Sequence, residues 1–414
     1  MQSKTFCILP WVHMATFTNG DTTLCCVANR NTGFNLNNSN LPEIWNSQYY
    51  KDVRKKMLSS QKVSACSRCY EEEKNTYKSH RIVENEIWLE RLGKEKIKEI
   101  VGQTTDGEVS NDIMSLDLRL GNTCNLKCVM CRPQESSKWL KDSKILSNID
   151  DPVLSKEWSD KSKIDAKLFE WYKIPEFWED LVAFLPNIQE VVLAGGEPLL
   201  IKEQKFFLEK AIETGHSKHI LLRYHTNGTV LPNDVFDYWK HFMKVDVSVS
   251  LDSIEEKNYW IRYPANWNDI EENLEVLDNS SDNISVSVLQ TIQFMNIYYV
   301  PEFIQWIKSK KFQKITKTTK GYFHPGLLIQ PPQLNVRVLP KELKEKITKR
   351  VDLVNRLNQS NPSDKLMGTV NYMNSQDWSH LLPITIKYIN ALDKIRGTNF
   401  YETFNEISDY FKCV

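Results

Sequence analysis

The chain lacks a surplus of either charge, with 53 Lys and Arg set against 53 Asp and Glu. That excludes a global polyanion binder and an acidic disordered chain, so any charged partner must be met locally. It also lacks an apolar run approaching the roughly eighteen residues that span a bilayer, which excludes the transmembrane class. The opening MQSKTFCILPWVHMATF has one lysine, an apolar stretch interrupted by Pro10 and His13, and no small-residue cleavage site. It does not read as a signal peptide, and a cytoplasmic protein is expected. Repeats, low-complexity stretches and long Gly/Ser linkers are missing too. What remains is ordinary composition, 41% hydrophobic and 26% charged, over 414 residues, long enough for two domains and a core that needs no disulfide staples.

In a reducing compartment the nine cysteines are not expected to pair as disulfides, and metal or catalytic roles come forward. They fall into two groups and a leftover: Cys7, Cys25, Cys26, Cys66 and Cys69; Cys124, Cys128 and Cys131; and Cys413. The trio, spaced C-x3-C-x2-C, follows Ser115 to Leu120, where Leu116, Leu118 and Leu120 share one face of a predicted strand. The thiols therefore sit on a loop leaving a strand. Zinc wants four protein ligands, whereas three thiolates can hold an iron-sulfur cube with one iron open to an exogenous ligand. Three buried structural thiols are the alternative, but chance seldom puts three cysteines in eight residues.

Further along, Gln189 to Ala194 is a Val-rich strand followed by Gly195-Gly196-Glu197-Pro198. In such a turn the missing side chains would let a ligand approach the backbone, and one carboxylate could accept from an ammonium group. Alone, it would be an ordinary turn. HILLRYHTNG ends a strand on Thr226-Asn227-Gly228, and VDVSVSLDS puts Asp246, Ser248, Ser250 and Asp252 on one face and valines on the other, the alternation of a barrel wall with a polar lumen. Strands predicted near 115, 190, 220, 246, 285 and 328 alternate with helical patterns such as Trp267, Ile270, Leu274 and Leu277, which implies a parallel sheet. The segment from Arg132 to Pro186 is long for a first connection and is expected to be helical.

The N-terminal part supplies four thiols, Cys7, Cys25, Cys66 and Cys69, at separations that could close one metal site. An iron-sulfur cluster and a structural zinc both fit, with Cys26 a spare or alternative ligand. After residue 340 the pattern turns helical and is expected to pack against the barrel. Lys308, Lys310, Lys311, Lys314, Lys317 and Lys320 form a run that could meet a nucleic-acid backbone, although such runs are usually solvated loops.

The trio is where the chain resembles a family, the radical S-adenosylmethionine (SAM) enzymes. The resemblance implies a 4Fe-4S cluster on Cys124, Cys128 and Cys131 whose fourth iron chelates SAM. Met130 departs from the aromatic residue usual before the third cysteine. By the same resemblance Gly195-Gly196-Glu197 binds the methionyl amine, Asn227 belongs to the TNG turn, and Ser250 and Arg262 are candidates for the ribose and carboxylate of SAM; for Arg262 a surface charge is the other reading. The implied fold is α/β, a partial (β/α)6 TIM-type barrel at 108–340. The Cys-rich segment 1–107 is similar to the SPASM domain and its shortened relative, the twitch domain, and would carry an auxiliary 4Fe-4S cluster on Cys7, Cys25, Cys66 and Cys69. In relatives it follows the barrel, whereas here it precedes it. A helical extension, 341–414, completes the domain plan.

The activity so implied is reductive cleavage of SAM to a 5'-deoxyadenosyl radical that abstracts hydrogen from a peptide, protein or small metabolite. An electron donor such as flavodoxin or ferredoxin is the expected partner. Cys413 is offered as a hydrogen donor, with an inert terminal thiol as its alternative. A radical enzyme modifying nucleic acid and a non-enzymatic iron-sulfur or zinc scaffold or electron carrier are the rival readings.

Overall fold

Val245, Val247 and Val249 are buried, and Asp246, Ser248 and Ser250 between them are half-buried, the period-two pattern of a strand with one packed face. Similar alternation builds most of the sheet. The computed structural model describes residues 5–29, 31–74, 78–110, 112–315, 324–357 and 363–412. It divides the chain into two units, one running to Thr123 with 165–224 and 236–245, the other made of 124–164, 225–235 and 246 onward. Nine strands occur among the described residues: β1 (His13–Thr16), β2 (Asp21–Thr23), β3 (Asn31–Asn35), β4 (Ser115–Leu120), β5 (Glu190–Gly195), β6 (Leu221–Thr226), β7 (Lys244–Ser250), β8 (Ile284–Ile292) and β9 (His324–Leu327). The last six fall at the places expected, with helices such as Pro175–Ala183, Gln204–Glu213, Trp267–Asp278 and Val300–Ser309 between them.

In the first unit the strand order is β3-β2-β1-β4-β5-β6. β4, β5 and β6 run parallel, with Leu116 opposite Val191 and Val191 opposite Leu222. The N-terminal segment does something the alternation did not announce: it extends this sheet. β1 pairs parallel to β4, His13 opposite Ser115, and β2 and β3 follow it antiparallel. Side chains reinforce the junction, since His13 Nδ1 lies 2.9 Å from Ser115 Oγ and Thr16 Oγ1 accepts from the Arg119 amide at 2.9 Å. The helix Gln48–Leu58 braces the segment through Arg54, which donates to Pro10 O, Trp45 O, Gly107 O and Asn46 Oδ1 at 2.8 to 3.1 Å. At roughly 1.5 to 3 kcal/mol per charge-assisted bond, that residue ties together segments the chain separates widely.

The second unit carries the parallel pair β8-β9. β7 enters it through Leu251 N donating to Leu289 O at 2.9 Å and through Ser248 and Ser287, whose hydroxyls lie 3.0 Å apart. Its C-terminal helices, including Lys341–Leu357 and Leu382–Arg396, confirm a helical extension. They pack here through aromatic rings: Phe400 lies 5.2 Å from Trp260 and 5.5 Å from Phe411. Among the described residues no helix is long and apolar enough to cross a membrane.

Candidate functional site

β4 ends at Leu120, and the chain turns at Gly121, whose φ of +64° belongs to the left-handed region. From Cys124 the loop is held by backbone and side chains of the second unit. Lys127 N donates to Tyr263 O at 2.6 Å, Val129 N to Ile261 O at 2.8 Å and Cys131 N to Cys128 O at 3.0 Å. Trp139 Nε1 donates to Cys128 O at 3.0 Å. Cys128 is buried, and Cys124 and Cys131 are half-buried. A hydrogen bond from the Cys131 thiol, and then the Arg262 charge, pull the Cys128 thiol down against its burial; the same bond, followed by burial, pushes Cys131 up. The two thiols are thus drawn apart, Cys128 toward the thiolate and Cys131 away from it.

Two of the sequence-predicted residues of this unit, Asn227 and Arg262, reach the loop, and Ser250 lies on β7. Asn227 Nδ2 donates to Asn125 Oδ1 at 2.9 Å and reaches Cys124 Sγ at 3.9 Å. Arg262 is not a surface charge: it is 8% exposed, its Nε lies 2.8 Å from Asp252 Oδ2, and its Nη1 is 4.0 Å from Cys128 Sγ. Asp252 is completely buried, and burial pushes its carboxyl up against the opposing pull of Arg262. Ser250 is half-buried on the polar face of β7 with Asp246 and Ser248.

Gly195, Gly196 and Glu197 belong to the first unit, where they close onto the residues just before the trio. Gly196 N donates to Gly121 O at 3.0 Å and Glu197 N to Thr123 O at 2.8 Å. A Cβ on Gly196 would lie 2.2 Å from Thr123 O, so only glycine permits this approach. Glu197 is 1% exposed, and its carboxylate accepts from Leu199 N at 3.1 Å, fixing the turn.

Cys7, Cys25, Cys66 and Cys69 line one largely apolar cavity with His80 and Arg81. Burial, and then repulsion among the sulfurs, pushes Cys7 and Cys25 well up and Cys66 to about 12. Such a set holds its protons until a positively charged group displaces them, which fits a metal cofactor. No three His, Cys, Asp or Glu side chains among the described residues close up to the spacing of a single metal ion. A cubane would offer each thiolate its own iron, whereas one zinc would need four sulfurs at about 2.3 Å from a common centre. Cys26 stands outside this cavity, exposed, with its Sγ 3.8 Å from His80 Nε2.

Cys413 and the lysine run complete the residues singled out from the sequence. Cys413, Lys317 and Lys320 lie outside the described residues. Within the rest of the lysine run, Lys310 pairs with Glu271 at 2.8 Å, and Lys314 donates to Ser280 O and Ser281 O. Lys310 is thus engaged on the helix Trp267–Asp278 and Lys314 just past its end, rather than both being offered to phosphate.

Residues 118–306 match the family model of the radical SAM superfamily, and residues 7–70 match that of SPASM, an iron-sulfur cluster-binding domain. No curated protein matches the chain. Similar solved structures include native anSMEcpe with bound AdoMet, at 18% identity and TM-score 0.41, covering 60% of this chain and 62% of that one. Another is Streptococcus suis SuiB bound to precursor peptide SuiA, at 14% identity and TM-score 0.31, covering 70% of this chain and 60% of that one. The chain thus spans less than two thirds of the length of either. It carries a radical SAM domain and a SPASM domain, and with them, as cofactors, a SAM-binding 4Fe-4S cluster, SAM and an auxiliary iron-sulfur cluster.

Proposed function

We propose that this chain, with its radical SAM domain behind a SPASM domain, is an enzyme that cleaves SAM reductively and abstracts hydrogen from a peptide, protein or small metabolite. When bound, the cluster and SAM supply a 5'-deoxyadenosyl radical; the protein's part is to hold, orient and exclude water. Cys124, Cys128 and Cys131 would hold the SAM-binding cluster. The observation that carries this reading is the packing of Arg262 and Asn227 against two of these three sulfurs, at 4.0 and 3.9 Å. Glu197 would accept from the methionyl ammonium, with Arg262 and Ser250 offered to the carboxylate and ribose. Cys7, Cys25, Cys66 and Cys69 would ligate a second 4Fe-4S cluster completely, leaving no open iron, so that it serves electron transfer or structure.

An electron acceptor of that kind suits a net oxidation, and SPASM-type relatives act mainly on peptides, proteins and small metabolites. That supports the substrate class, with flavodoxin or ferredoxin as the electron source. Nucleic-acid modification rested on the lysine run, whose Lys310 and Lys314 are already engaged.

Anaerobic reconstitution tests the assignment. Wild type is expected to bind ~8 irons and release 5'-deoxyadenosine after reduction, and the Cys124, Cys128, Cys131 triple alanine variant to keep ~4 irons with a cubane signal and no SAM cleavage. Stoichiometric zinc in that variant would make the N-terminal site structural. SAM cleavage by the triple variant would remove the trio from catalysis.

Glu197→Gln keeps an acceptor for Leu199 and removes only the charge. A charge-assisted bond contributes about 1.5 to 3 kcal/mol, so SAM affinity should fall by about tenfold or more while iron content stays constant. An unchanged dissociation constant, measured anaerobically, would reduce Gly195-Gly196-Glu197 to a structural turn.

A further inference from the structure

Arg396 ends the helix Leu382–Arg396 and lies 269 residues from the cysteine loop in sequence, yet its Nη2 donates to Lys127 O at 2.6 Å. The side chain is nine-tenths buried, with its guanidinium 5.1 Å from the Trp139 ring centroid and 5.2 Å from that of Tyr263. Its Nε and Nη1 are buried without a hydrogen-bond partner. The acid whose charge acts on it, Asp142, is paired with Lys127 at 2.8 Å. Arg262, by contrast, has Asp252 beside it. Eight residues earlier on the same helix, Tyr388 donates through its hydroxyl to Val129 O at 3.0 Å. One C-terminal helix therefore holds the carbonyls on both sides of Cys128.

A cation taken out of water without a counter-charge is unfavourable, and a buried guanidinium with two idle donors calls for an anion. A 4Fe-4S core on three thiolates is one: its net charge is negative and becomes more so on one-electron reduction. Net charge and hydrogen bonding are among the levers that set such a cluster's potential.

We propose that Arg396 is a positioning residue for the cluster on Cys124, Cys128 and Cys131, holding the Lys127 carbonyl while its charge stabilises the reduced cluster and raises its reduction potential. Tyr388 holds the other side of Cys128 without contributing charge. This rests on the cluster assignment proposed above.

The test uses full-length reconstituted protein, reduced with dithionite in the presence of redox mediators, and follows the electron paramagnetic resonance signal that changes on adding SAM. Arg396→Gln is expected to lower the midpoint potential of that signal, and Arg396→Lys to restore most of the difference. Tyr388→Phe, which removes a neighbouring bond and no charge, should leave the potential near wild type. If Arg396→Gln loses the cluster, the lysine and phenylalanine variants still decide. A potential in Arg396→Lys far below wild type, or a fall in Tyr388→Phe as large as any in the Arg396 variants, overturns the proposal, as does an unchanged potential in Arg396→Gln. A wild-type protein with no SAM-responsive signal would overturn the cluster assignment and this inference with it, whereas a normal wild-type signal with indifferent variants would overturn the inference alone.

Discussion

Cys128→Ala is expected to abolish 5'-deoxyadenosine formation and leave the iron of the N-terminal site in place. Cys128 is the buried member of its trio, and it is the sulfur that both the Cys131 thiol and Arg262 draw toward the thiolate. Removing it deletes one of the three ligands that leave an iron open for SAM, and no other described cysteine stands in this loop to replace it. The substitution also leaves Arg262, whose Nη1 lies 4.0 Å from that sulfur, facing a methyl group. Cluster loss should therefore be complete. The N-terminal thiols come from separate segments of the chain, so about four irons and a cubane spectrum should remain. Iron and sulfide counts alongside the 5'-deoxyadenosine assay check both halves; wild-type rates of SAM cleavage in the variant would refute the assignment.

Gly196→Ala should depress SAM cleavage on the order of 100-fold, the effect of displacing a reacting group by about 1 Å. The added carbon would lie 2.2 Å from Thr123 O, 2.6 Å from Thr123 C and 2.8 Å from Asn122 C, all backbone atoms. Nothing flexible can yield, so either the turn or the start of the cysteine loop must move. Gly215→Ala is the contrasting control. Gly215 sits at positive φ, +77°, where Gly196 does not, and nothing lies within 4 Å of its added carbon, so it measures the cost of backbone strain without any clash. SAM turnover in Gly196→Ala no lower than in the control would show that the close approach has no part in cofactor binding.

The strands of the barrel half were legible because their side chains alternate: in β7 three buried valines separate residues that are half-buried. The cysteine trio and Gly195-Gly196-Glu197 were legible as local patterns. β1, β2 and β3 were not, since strands of four, three and five residues are too short to display a period, and β1 is buried on both faces. Neither was the role of Asp252 in keeping Arg262 inside the protein, nor that of Arg396 and Tyr388, which reach the loop across 269 and 259 residues. A charged residue near the end of a helix usually marks the surface. Burial here depends on partners that no local window contains.

The pairing of β1 with β4 has a temporal side. His13 cannot find Ser115 until 102 further residues have been made, which at 5 to 20 residues per second takes about 5 to 20 s on the ribosome. Throughout that interval Cys7 and Cys25, which precede and follow β1 and β2, belong to a segment whose sheet partner has not emerged. The strand that follows Cys7 is thus one of the first parts of the chain to be synthesised, and its parallel neighbour arrives only later. β4 also leads directly into the loop of Cys124, Cys128 and Cys131. Completion of a single strand thus both gives β1 its parallel neighbour and starts the cysteine loop, and a chain stalled before residue 115 would leave the edge of β1 unpaired on that side.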